Sequence, residues 1–178
     1  MNTGVKNTLI GGLAGDALTS GVRNVAVGYD ALSTEDADSY NTAVGYAALR
    51  DLNAGAAGYS VAVGYNAGAS VTTGVNNTLV GALAGDALET GSNNVAIGHK
   101  ALSTDEDGSQ NIAIGFESLE VQLFDSSTNS YNTAVGHGTG AAITTGVRNT
   151  LMGGLVGDAL EDADYNTAVG YYALGTDT

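Results

Sequence analysis

Cysteine, proline and tryptophan are absent from the 178 residues. Without cysteine there is no disulfide framework and no thiol chemistry, although the compartment stays open. Positive charge is nearly absent: Lys6, Arg23, Arg50, Lys100 and Arg148 stand against 19 acidic residues, for a net charge of −14. A field of that sign repels nucleic acid and anionic membranes, so neither is expected as a partner. No apolar run approaches membrane-spanning length and Met1 is not followed by a signal peptide, so this segment is not expected to insert into a membrane. Large apolar side chains are scarce, with two Phe and two Met. What is plentiful is glycine, at 27 residues, in a composition that is 43% apolar and 13% charged. Gly-rich, charge-poor chains are often fibrous or disordered, but this much apolar content argues for packing around a thin core.

The chain repeats itself. The pentad Asn-Thr-Ala-Val-Gly and its variants begin at Asn7, Asn24, Asn41, Ser60, Asn77, Asn94, Asn111, Asn132, Asn149 and Asn166. The spacing is 17 residues except for one step of 19 and one of 21, which place insertions after Leu49 and Leu119. A period of this kind marks a repeat architecture, so residues 1–178 read as one repetitive segment. A longer period lies on top. Coils with Leu third in the pentad start at Asn7, Asn77 and Asn149, and each carries Gly-Asp-Ala-Leu further on, giving blocks of four coils. Neither end resembles a polar cap, so the chain is expected to be an excerpt from a longer array.

Within the pentad, period-2 alternation sends the second and fourth side chains one way and the third and fifth the other. The second is β-branched and the fourth large and apolar in every copy, which is strand chemistry. The opposite face holds only Ala or Leu and then Gly. That face is too apolar for solvent, and the reading here is that it meets a neighbouring chain while the Thr and Val side chains line a narrow roll. A small-residue row at the eighth place, from Ala14 to Ala173, is followed by Gly or Leu and reads as a second short strand or a turn stacked in register. The expected fold class is all-β, a parallel β-solenoid of ten coils rising roughly 4.8 Å each, about 45–50 Å in all.

The pentads Asn24–Gly28, Asn41–Gly45 and Asn94–Gly98 resemble the head repeats of trimeric autotransporter adhesins, and similar Asn-Thr-Ala-Val-Gly-Tyr arrays occur in phage tail fibres. The resemblance implies a left-handed parallel β-roll and a homotrimer. It departs in period, since the adhesin heads use shorter turns, and no coiled-coil stalk or membrane anchor accompanies it here.

Several groups could carry chemistry. Gly11–Leu18 resembles a calcium-binding nonapeptide, but its fourth glycine is Ala14 and it occurs once per four coils. Acidic turns recur at Glu35, Asp36 and Asp38, at Asp105, Glu106 and Asp107, and at Glu161, Asp162 and Asp164. Such carboxylates can hold calcium with backbone oxygens, but a solvated turn that keeps the rod soluble is the preferred reading. Tyr29, Tyr46, Tyr65 and Tyr171 follow the pentad glycine, with His99, Phe116 and His137 in other coils. A ladder of rings could stack on glycans, although covering a corner of the roll is its more ordinary role. The anchor Asn residues read as a hydrogen-bonded ladder, not as catalytic groups. With no nucleophile constellation and no phosphate loop, the expected function is not enzymatic. It is a structural or adhesive extracellular fibre segment on a cell surface or virion, which touches a receptor or glycan. The competing class is a single-chain ice- or calcium-binding solenoid, disfavoured here because Thr8, Thr42 and Thr78 are expected to point inward. A polysaccharide-degrading β-helix would need carboxylates converging in one cleft.

Overall fold

The computed structural model describes residues 3–34, 36–55 and 57–175. Among them there is no helix. Ten strands of three residues each, all from the pentads, form one parallel sheet: β1 (Thr8–Ile10), β2 (Val25–Val27), β3 (Thr42–Val44), β4 (Val61–Val63), β5 (Thr78–Val80), β6 (Val95–Ile97), β8 (Ile112–Ile114), β10 (Thr133–Val135), β11 (Thr150–Met152) and β12 (Thr167–Val169). Each strand pairs with the next coil's strand, with Thr8 on Val25 and Leu9 on Ala26, and this register holds through both insertions. The remaining strands, β7 (Gly108–Ser109) and β9 (Thr128–Asn129), pair beside the second insertion. The eighth and ninth places are turns stacked in register, tied coil to coil by bonds such as Leu32 N–H to Ala48 O at 3.0 Å.

The sidedness of the pentad is the reverse of the expectation. The third side chain points inward: Ala26, Ala43, Ala62, Leu79, Ala96, Ala113, Ala134 and Leu151 are fully buried. The Thr, Val or Ile at the second place and the Val, Ile or Met at the fourth face outward and are half-exposed or exposed in every coil. The Ala face that was expected to meet another chain is therefore the chain's own core. The fifth-place glycine belongs to a close approach within the chain: a Cβ on Gly28 would sit 2.2 Å from the carbonyl oxygen of Gly45, at a φ of +144°.

The bulk of the core comes from outside the pentad. At the ninth place Leu32, Leu49, Leu102 and Leu119 are fully buried, each in a left-handed conformation with φ between 47° and 55°. That conformation costs a leucine about 1–2 kcal/mol, which burying the side chain at roughly 1.5–3 kcal/mol offsets. The coils with Leu third in the pentad take glycine at the ninth place instead. A Cβ on Gly85 would lie 2.9 Å from Leu79, and one on Gly68, in the coil before, 2.6 Å from the same leucine. Large and small residues thus alternate across the thin interior, and the four-coil period records that exchange.

A ladder of anchor side chains runs along the rod. The Oδ1 of Asn24 accepts the backbone N–H of Asn41 at 2.9 Å, and its Nδ2 donates to the carbonyl of Asp38 at 2.8 Å. The same pair of bonds recurs from Asn77 to Asn94 and Gly91 and from Asn132 to Asn149 and Gly146. In the two lengthened coils the carbonyl moves out of reach, and the buried Nδ2 groups of Asn41 and Asn111 have no partner.

Candidate functional site

Two features face solvent in every coil: the outer surface of the sheet, and rows of side chains along its two long edges. The outer surface carries Thr, Val, Ile and one Met at the second and fourth places and no charged residue. Near the middle of the rod Val63, Ile97 and Ile112 are each 37% exposed. A parallel sheet ordinarily has both faces covered, so a second apolar face open to water is a physical anomaly in one chain alone. Contiguous apolar patches beyond a few hundred Å² mark interaction surfaces.

Rings border this face. On the edge after the pentad glycine, Tyr29, Tyr46 and Tyr65 stack with centroids 5.7 and 5.4 Å apart, and His99, Phe116 and His137 follow at 5.4 and 5.1 Å. Interplanar angles of 9–16° mean that each inner ring has both faces covered by its neighbours. The ladder therefore shows edges to solvent, and the sugar stacking expected along it has no ring face at Tyr46 or Phe116. Tyr171 is separate, inclined at 34° to Tyr172. On the opposite edge Tyr40 and Tyr59 stack at 5.0 Å, Arg23 lies 5.3 Å over Tyr40, and Arg148 lies between Tyr131 and Tyr165 at 5.7 and 5.4 Å. This edge holds Lys6, Arg23 and Arg148, whereas the other holds Asp30, Lys100 and Glu117.

The acidic turns do not assemble into one centre. Glu35 lies outside the described residues. Asp36 accepts from the Thr19 hydroxyl and Asp107 from the Thr90 hydroxyl, each one coil away. Asp164 accepts the Val147 N–H at 2.7 Å, and Asp162 is exposed. Asp38 and Asp105 are fully buried instead. Asp38 Oδ2 accepts the N–H of Ala54 at 2.6 Å. Asp105 accepts from the N–H groups of Gly108 and Phe124 at 3.1 Å and from Gln122 Nε2 at 2.6 Å. Burial pushes the Asp105 carboxyl above the usual carboxylate range, those three donors pull it back, and Asp107 adds a smaller rise. Each buried aspartate thus seats the insertion of the following coil. Sequence reasoning missed that role, and its one signal was that both acids precede a lengthened coil. Among the described residues no three His, Asp or Glu side chains converge where they could hold a metal ion.

In the Gly-Asp-Ala-Leu motif, Asp16 is exposed at the first coil. Asp86 and Asp158 are partly buried, and each has a buried Oδ1 without a hydrogen-bond partner. Burial raises the Asp86 carboxyl, opposed by its own backbone N–H and by Lys100. No described helix is long and apolar enough to cross a membrane. No family model, curated protein or solved structure matches the chain.

Proposed function

We propose that the chain is a non-catalytic segment of an extracellular fibre, on a bacterial surface or a phage tail, and that it associates with copies of itself through the outward face of the ten-stranded sheet. The observation that carries this reading is that face: Thr, Val or Ile at the second place and Val, Ile or Met at the fourth place of every coil, free of charge, in a molecule of net charge −14. Like-charged copies can meet closely only where no charge is buried. With its ring-lined edges the face measures roughly 50 by 20 Å, on the order of 1,000 Å², comparable with the roughly 800 Å² per partner of a stable interface. Copies related by an axis along the rod would set one edge against the other, Arg23 of one copy near Asp30 of the next. The resemblance of the pentads to trimeric adhesin heads makes three the expected number.

Light scattering of the purified chain should return three times the monomer mass. Val80→Lys, a charge at the centre of the face and outside the core, should return the monomer with its circular dichroism unchanged. A parent chain that stays monomeric removes this reading. One observation then favours a second: the ranks of Thr and Val point outward, not inward, so a monomer with thermal hysteresis would be an ice-binding solenoid.

A further inference from the structure

We propose that the break in the aromatic edge at Ala82 is a seat for one neutral pyranose ring. Tyr65 and His99 are the end rings of the two stacked runs, and Ala82 occupies the ring position of the coil between them. Their centroids are therefore about two coil rises, roughly 9.6 Å, apart. That is close to twice the 5.1–5.7 Å pitch of the rings within the runs. One further ring in the gap would stand at the distance from each wall that the protein's own rings keep, within the range in which stacked rings attract.

The walls are the facing sides of Tyr65 and His99, on which no ring is stacked, and half-buried Leu83 follows Ala82 as an apolar floor. The breaks at Gly12 and Gly154 differ. There the next ring settles over the glycine, so that a Cβ would lie 3.3 Å from Tyr29 or 3.4 Å from Tyr171. At Ala82 a methyl occupies that place.

Polar groups on the walls themselves can meet sugar hydroxyls: the Tyr65 hydroxyl and the His99 ring nitrogens. The chain's net charge of −14 disfavours acidic sugars and selects a neutral one. The seat lies on a ring-lined edge that borders the face between copies, so close association along that edge would compete with the sugar.

Saturation-transfer NMR with methyl β-D-glucopyranoside and methyl β-D-galactopyranoside tests it. The parent chain should transfer saturation to the ring C–H protons of at least one. Ala82→Tyr installs the residue that Tyr46 and Tyr65 place in other coils, so the fold is kept, and transfer should fall at least about five-fold, the factor a ring contact of this kind is worth. Tyr65→Ala, which removes one wall, should lower it likewise. Transfer to neither sugar from the parent, or equal transfer from the parent and both variants, overturns the proposal. A monomer mass by light scattering bears on self-association alone and leaves this test intact.

Discussion

Asp105 and Asp86 set the pH behaviour of single residues in this rod. Both carboxyls are raised above their ordinary value chiefly by burial, Asp86 against a weaker pull from Lys100. A group whose folded pKa is raised binds its proton more tightly in the folded state than in the unfolded one. Its contribution is complete below the unfolded value near 3.8 and is lost as pH rises through the folded value. The chain is therefore expected to unfold at higher temperature near pH 5 than near pH 7.5. Relief of self-repulsion among 19 acidic groups acts in the same direction. Asp86→Asn separates the two causes, because its Oδ1 has no partner to lose. Thermal melts should place this variant above the parent at pH 7.5 and level with it at pH 4. A variant that melts below the parent at pH 7.5 would mean that the Asp86 carboxylate is stabilising as an anion.

At the scale of the coil, the exchange of leucine between the third and ninth places can be tested as a cycle. Gly68→Leu drives a side chain into Leu79, whose Cδ1 would lie 2.6 Å from a Cβ there, and overpacking of this kind costs about 1–3 kcal/mol. Leu79→Ala empties a fully buried position, at about 2–5 kcal/mol. Together they recreate the pairing of a ninth-place Leu with the next coil's third-place Ala, as in Leu49 with Ala62 and Leu119 with Ala134. Urea unfolding of the four proteins should give a coupling energy of about 2 kcal/mol in favour of the double variant; additive losses would show that the four-coil period has another origin. The same residues explain what could be read from the sequence. Period, strand positions and the parallel stack followed from the pentad, because its alternation and spacing are local properties. Sidedness did not. An Ala and Gly face is too thin to fill a core, and its missing volume comes from leucines four and seven residues beyond the pentad glycine, the first set at left-handed positions that no alternation rule reaches. The aromatic edge was legible as a row, whereas the covering of its ring faces depended on a stacking pitch that only the assembled coils define.

For the whole molecule, two long-range properties oppose one another. The outward face favours contact between copies in proportion to the apolar area removed from water, while a net charge of −14 on each copy resists their approach. The acids lie mostly on turns away from the sheet, where Glu106, Glu161 and Asp162 are exposed, so they repel across solvent without entering the interface. Repulsion of that kind is screened over about 10 Å at 0.1 M salt and about 3 Å at 1 M, whereas the apolar term does not weaken with salt. Association is thus expected to strengthen as salt is added, the reverse of an assembly held by ion pairs. Sedimentation velocity at micromolar protein should show the larger species growing between about 20 mM and 500 mM sodium chloride, with Val80→Lys monomeric throughout. Dissociation on adding salt would place the attraction in the Arg23 and Arg148 edge, and the apolar face would then be secondary to the charges that border it.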